Sequence, residues 1–380
     1  MRIFIVCRGY PTSKYVMNGI FEFDQAKALA ARGHEVIYLA IDLRSIRRWR
    51  HWGRESLKKD SVNIEAINIP LGRVPQKILH SFGKSGLSSV FKQCVKKYGK
   101  PDIIHAHFTD SAYFAVKALK KYDFPIIMTE HNSGITEKVI YPHLKTIASF
   151  TYPLCDKIIV VSPSLKQTLD ETFDQKSDYI PNIVDVGAFR FAKHSLDLNE
   201  IFTFVSIGGL IPRKGMDILI RQFSKFHSEA PKSKLIIFGE GSEQKSLEQL
   251  IEEFKISEHV KLMGLRTRHE IASVLSSSDV FVLASKNETF GVAYIEALAC
   301  GVPVIATTCG GPEGFVHEGN GILIPVDDEK ALLEAMNTMY DKASTYDRVK
   351  IAAEISEKFS PDSVAEQLED VYRFELRNIQ

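Results

Sequence analysis

The chain has 380 residues, 44% hydrophobic and 25% charged, which reads as an ordinary soluble globular protein too long for one hydrophobic core. No run of 18 apolar residues is present, which excludes a membrane-spanning helix, and five cysteines without a CxxC exclude a disulfide framework or zinc site. The net charge of +1 hides an asymmetry, with 27 Lys and Arg against 18 Asp and Glu in residues 1–185 and 21 against 29 beyond, so the first half suits an anionic partner.

The N-terminal "RIFIV" (2–6) is a strand, and its apolar run is too short for a signal peptide, so a reducing cytoplasm is expected. Gly19 follows in a loop that opens the helical stretch 19–36. After the strand "EVIYLA" (35–40) comes "RSIRRWRHWGRESLKK" (44–59), with seven Lys and Arg, one Glu and both tryptophans. Basic residues interleaved with Trp suit an anionic membrane surface, with Arg47, Arg48, Trp49, Arg50 and Trp52 as contacts. Nucleic acid is the formal alternative and is set aside.

Three more strands follow: "DIIHAH" (102–107), "PIIMTEH" (125–131) and "KIIVVS" (157–162). Pro, Asn and polar residues break the pattern at 179–200, before a second series: "FTFVSIGG" (202–209), "KLIIFGEG" (234–241), "VFVLAS" (280–285) and "PVIAT" (303–307). Apolar strands alternating with helices mean parallel sheets covered on both faces, hence two doubly wound α/β domains. The expected boundaries are 1–187 and 188–360, with the terminal helix 361–380 packing back on the first domain.

Two glutamates in "SKNETFGVAYIEALACGVPVIAT" (285–307) lie eight positions apart, a spacing that chance also provides at Glu240/Glu248. Context separates the pairs. Glu288 lies beyond a strand's carboxyl end, where open α/β sheets bind ligands. Residues 289–291 open a short helix whose free N–H groups suit a phosphate, and Glu296 sits one turn in, within reach of a ribose. Glu240/Glu248 reads as a solvated helix face.

These motifs, with "GGPEGFVHEGNGILIP" (310–325), "GIFEFDQAKALAARGHEV", "IPNIVD" and "GGLIPRKGMDILI" in order, resemble family 4 glycosyltransferases of the E-x7-E type. The resemblance implies a GT-B fold: two Rossmann-like domains facing a cleft, the first for the acceptor and the second for the nucleotide sugar. It implies a retaining, metal-independent hexosyltransferase that uses a UDP-sugar in preference to a GDP-sugar. A glycan or lipid-linked acceptor in surface-polysaccharide synthesis, at the inner face of the cell membrane, completes the expectation. No cofactor is expected, and no two Asp residues are separated by one position, so a DxD metal site is absent.

By the same resemblance Glu288 holds donor-sugar hydroxyls, Glu296 holds the ribose, and backbone amides of Phe290, Gly291 and Val292 meet the sugar and distal phosphate. Arg213 and Lys214 neutralise the diphosphate, where a departing anion needs stabilisation. The family's arginine after the strand glycine is Gly209 here, and Arg213 is the candidate substitute. His107 matches the active-site histidine, and His131 is a candidate for the acceptor or sugar. His105 is expected to point to the opposite face as a structural residue. Gly19 lets the first loop approach the phosphates, and Leu265 or Arg266 contacts the base. The rival readings are a dinucleotide-dependent oxidoreductase, weakened by Gln244 at the third glycine position of "FGEGSEQ", a GT-B epimerase or phosphorylase, and a non-catalytic nucleotide- or lipid-binding module.

Overall fold

The computed structural model describes residues 1–43, 51–137, 139–192 and 201–378. Arg47, Arg48, Trp49 and Arg50 therefore lie outside the described residues. The chain divides into two compact units, Met1–Ile183 with Pro361–Gln380, and Val184–Ser360.

The first unit alternates β1 (Arg2–Cys7), α1 (Ile20–Ala31), β2 (Glu35–Asp42), β3 (Gly53–Lys59), β4 (Val62–Asn68), α2 (Gln76–Tyr98), β5 (Ile103–His107), α3 (Phe108–Leu119), β6 (Ile126–Glu130), α4 (Pro142–Thr151), β7 (Lys157–Val160), α5 (Pro163–Phe173) and β8 (Asp178–Tyr179). They form one sheet in the order β3-β4-β2-β1-β5-β6-β7-β8. All neighbours pair in parallel except β3, which runs antiparallel along β4. The order reverses between β1 and β5, so ligand-binding loops are expected at the carboxyl ends of those two strands.

The second unit runs β9 (Phe202–Ile207), α6 (Met216–Glu229), β10 (Ser233–Phe238), α7 (Gln244–Glu253), β11 (Val260–Leu262), α8 (Arg268–Ser276), β12 (Val280–Leu283), α9 (Val292–Ala299), β13 (Val304–Thr307), β14 (Gly321–Ile324), α10 (Glu329–Lys342) and α11 (Arg348–Phe359). Its sheet is ordered β11-β10-β9-β12-β13-β14, with every pairing parallel. This is the 3-2-1-4-5-6 order of a dinucleotide-type doubly wound sheet, with its switch point between β9 and β12. Its core stacks Phe204 edge-on against Phe226 at 5.2 Å and against Phe223 at 6.4 Å.

The last helix, α12 (Pro361–Arg377), belongs to the first unit. Val364, Ala365, Leu368 and Tyr372 are buried in one core with Ile3, Ile5, Phe23 and Leu29. Burying each large apolar side chain is worth roughly 1.5–3 kcal/mol. Glu369 fixes the helix in place, accepting from Arg32 Nε at 2.7 Å and Arg373 Nη2 at 2.7 Å, with His34 Nε2 at 2.9 Å.

Residues 53–59 of the basic segment 44–59 form the edge strand β3, rich in charged side chains. One local reading is corrected. Glu240 lies in the loop after β10 rather than on α7, although both it and Glu248 are exposed as expected.

Candidate active site

In the second unit the carboxyl ends of β9 and β12 deliver the charged residues. A turn after β9 carries Arg213 and Lys214, and its backbone is tied to the β12 end because Lys286 N donates to Arg213 O at 2.8 Å. Arg213 Nη1 donates to Asn287 O at 3.2 Å. Lys214 Nζ reaches Glu288 Oε1 at 2.5 Å, and the same oxygen accepts from Ser285 Oγ at 2.6 Å. Thr307 at the end of β13 donates to Ser285 O at 2.5 Å, and Glu288 N donates to Cys309 O at 3.2 Å. Glu288 is 7% exposed, so this carboxylate is held from three strand ends in a poorly solvated place. Lys214, Arg213 and Glu288 are thus brought together.

The start of α9 adjoins them. Gly291 precedes the helix at φ 94°, and a Cβ there would stand 2.7 Å from the Tyr294 ring. Only glycine fits both constraints. Tyr294 in turn donates to Leu283 O at 2.8 Å, locking the helix to β12. The Phe290 side chain is core, packed against Phe315 and Phe359, so its ring is withdrawn from the surface at the start of α9. The first-turn N–H groups at Val292 carry the partial positive charge of a helix start. Glu296 is half-buried one turn further on.

Leu265 and Arg266 lie in the loop after β11, at the same edge of the sheet but two strands from β9, and both are exposed. Arg266 Nη1 donates to its neighbour Leu265 O at 2.9 Å. At Gly209 a Cβ would meet nothing nearer than Glu240 O at 3.8 Å, so the backbone there would tolerate a side chain. The G-x-G of "FGEGSEQ" has a structural cause: a Cβ on Gly239 would lie 1.9 Å from Gly208 O, and one on Gly241 2.1 Å from Leu210 O. Both glycines serve close packing of two strand ends.

In the first unit the ends of β5 and β6 deliver histidines. His107 Nδ1 lies 3.0 Å from His131 Nε2, with the rings stacked at 5.3 Å. His105 does not face away: its ring stacks on His107 at 4.4 Å. Residues two apart on a strand share a face, so alternation argues against the expected opposite orientation. His105 is structural nonetheless, bridging Tyr372 OH and Thr129 Oγ1 at 2.7 Å each. Burial pushes His105 and His131 down to about 3 and His107 well below its ordinary value, so all three rings are neutral.

Glu130, which the sequence reading passed over, anchors this corner. Oε1 accepts from His131 N at 3.0 Å and Asn132 N at 2.9 Å, while Oε2 accepts from Tyr152 OH at 2.9 Å and from Thr109 Oγ1. Burial pushes its carboxyl up, against the pull of those donors. Phe108 was missed too. It stands at φ 69°, a left-handed conformation that costs a bulky residue roughly 1–3 kcal/mol and is found where the surroundings enforce it. Arg8 and Ser285 were also overlooked; each directly follows or closes a strand already recognised, which was the available signal. Gly19 is in the left-handed region at φ 67°, where a Cβ would sit 2.3 Å from Gly9 O, so the first loop closes on itself there. Trp52 is 50% exposed. Among the described residues no helix is long and apolar enough to cross a membrane, and no three His, Cys, Asp or Glu gather as a metal site.

Comparison with known proteins bears on this geometry. Residues 23–187 match the model of Glycosyltransferase Family 4, and residues 190–355 match that of Glycosyl transferases group 1. An uncharacterized glycosyltransferase of Methanocaldococcus jannaschii is 31% identical over 280 residues, covering 71% of this chain and 75% of that protein. The N-acetyl-alpha-D-glucosaminyl L-malate synthase of Bacillus anthracis is 26% identical over 378 residues, 95% of this chain and 94% of that one. The solved structure of Anabaena HepE in complex with UDP superposes with a TM-score of 0.74 at 19% identity, covering 98% of this chain and 100% of the other. With both models matched in tandem and each unit carrying a parallel doubly wound sheet, the chain belongs to the family 4 type of GT-B glycosyltransferases.

Proposed function

We propose that the chain is a retaining glycosyltransferase moving a sugar from a UDP-sugar to a glycan or lipid-linked acceptor in cell-surface polysaccharide synthesis. The observation that carries this reading is the Lys214–Glu288 pair beside the amide-lined start of α9. Without donor, cation and carboxylate satisfy one another. A bound sugar diphosphate offers each a better partner: phosphate oxygens for Lys214 and Arg213, sugar hydroxyls for Glu288.

Negative charge grows on the diphosphate as the glycosidic bond to it breaks. Lys214, Arg213 and the N–H groups of residues 290–292 are arranged to stabilise that charge, which is the interaction that lowers the barrier. Glu296 holds the ribose, and the loop at Leu265 and Arg266 meets the base. The departing phosphate takes the acceptor's proton, so no separate protein base is required. His107, neutral and buried, orients the sugar or the acceptor hydroxyl, and His131 supports it. In this scheme no metal ion is needed. The choice of UDP is supported by HepE, whose structure is a complex with UDP. A sugar of the N-acetylglucosamine kind is supported by the Bacillus relative's name. The basic first half and exposed Trp52 support attachment to the inner face of the membrane.

Thermal unfolding in UDP, GDP, ADP, their sugars and NAD tests the reading. A donor at a hundred times its Kd adds about 2.7 kcal/mol, or several degrees in Tm. The rise is expected with UDP-sugars and absent in Lys214→Ala and Glu296→Ala; a rise with NAD alone overturns the proposal.

A further inference from the structure

Arg8 directly follows β1 at the first unit's switch point, and its guanidinium carbon lies 3.4 Å from the centroid of the Phe108 ring. Among the described residues it has no acidic partner, and its Nε is closed off from solvent with no acceptor. The contrast within the unit is clear: Arg2 pairs with Glu35, and Arg32 with Asp362 and Glu369. Phe108, forced to φ 69°, packs on His131 at 4.9 Å between centroids. His131 Nδ1 and His107 Nε2 are likewise buried without partners, and both side chains are more than nine-tenths buried. Three orphan polar atoms thus share one cluster with an unneutralised cation. The nearby acid, Glu130, cannot supply the counter-charge, because both its oxygens are engaged by four donors turned toward it from Thr109, His131, Asn132 and Tyr152.

A guanidinium donates and never accepts, and because the neutral His107 and His131 share one hydrogen bond, one of their two free nitrogens donates while the other accepts. Such a cluster is complementary to an oxyanion, and a buried donor without an acceptor is a standing cost that an oxyanion removes. We infer that Arg8 binds an anionic group, phosphate or carboxylate, carried by the sugar acceptor, with His107 and His131 meeting the part of the acceptor next to that group. The inference rests on the glycosyltransferase reading above and narrows it: the acceptor is an anion, and the first unit recognises its charge. The competing source of the same chemistry is the donor's own diphosphate, and the test separates the two.

The probes are inorganic phosphate and succinate, with glycerol as the neutral control, titrated into histidine-labelled protein followed by the imidazole resonances of His107 and His131. Each titration is run with and without saturating UDP, and in Arg8→Gln and Arg8→Lys. The expected result is a saturable shift from phosphate or succinate, and none from glycerol, that persists in the presence of UDP. Loss of a charge-assisted hydrogen bond should weaken it about tenfold to a hundredfold in Arg8→Gln, with Arg8→Lys between. Equal binding by Arg8→Gln, no binding by the unaltered protein, or binding that UDP abolishes overturns the inference. Retention of UDP-dependent stabilisation in Arg8→Gln shows that the variant is folded. Absence of that stabilisation in the unaltered protein would instead sink the donor reading, independently of Arg8.

Discussion

Acidification from pH 7 to pH 5 should unfold the first unit selectively. His105, His107 and His131 are fully buried and neutral, with the first and last pushed down to about 3. An unfolded histidine titrates near ~6.5. The folded value lies below the unfolded one, so protons bind the unfolded chain more readily. The stability these groups provide is complete above that unfolded value and is lost as pH falls below it, down to about 3 for His105 and His131. At pH 5 the solution lies roughly one and a half units below the unfolded pKa, which costs about 2 kcal/mol each for His105 and His131. These two together remove about 4 kcal/mol, a large part of the stability of a typical domain, and His107 acts in the same direction. Glu369, held down to about 2 chiefly by hydrogen bonds from Arg32, loses its contribution only at lower pH. Trp52 lies in the first unit, so its fluorescence in Trp49→Phe protein reports that unit's unfolding. Urea melts across pH 5 to 7 should therefore show steep destabilisation, about one proton shallower in His105→Gln. A midpoint that does not move over this range would refute the buried-neutral assignment.

Lys214→Met should cost about 3 kcal/mol by leaving Glu288 buried without its cation, and Glu288→Gln added to it should recover part of the loss in chemical denaturation. Gly291→Ala should lower stability by about 1–2 kcal/mol or more and weaken UDP binding, because the φ of 94° and the Tyr294 ring both oppose a Cβ. Glu369→Ala should strip Arg32, His34 and Arg373 of their shared partner and expose α12 to limited proteolysis, with cleavage near residue 360 appearing first. If Trp52 meets a membrane, anionic vesicles should blue-shift its fluorescence in Trp49→Phe protein, an effect that high salt reverses.

Much of the fold was legible because a strand buried on both faces spells itself in Ile, Val and Phe. The nine strands read from sequence are all present, shifted by up to three residues at their ends. Five described strands were missed, and two of these, β4 (VNIEAIN) and β14 (GILI), carry the apolar signal and were passed over, whereas the other three lack it. β3 is an edge strand rich in Lys, Arg and Glu, β11 has three residues and β8 two. The cluster at the ends of β9 and β12 was legible because Lys214, Glu288 and Gly291 fall in short local motifs at strand ends. Glu130, Phe108 and Arg8 were not: their roles arise from three strands, β1, β5 and β6, brought side by side. No single stretch records that adjacency. The error at His105 was of another kind, since the two-residue period of a strand already placed it beside His107.

Hydrogen–deuterium exchange with and without UDP tests the central claim, a nucleotide-sugar site at the β9–β12 switch point, most directly. The account predicts slowed exchange in residues 208–216 and 288–297, lost in Lys214→Ala, with NAD giving no protection. Protection confined to the first unit, or produced by NAD and not by UDP, would contradict it.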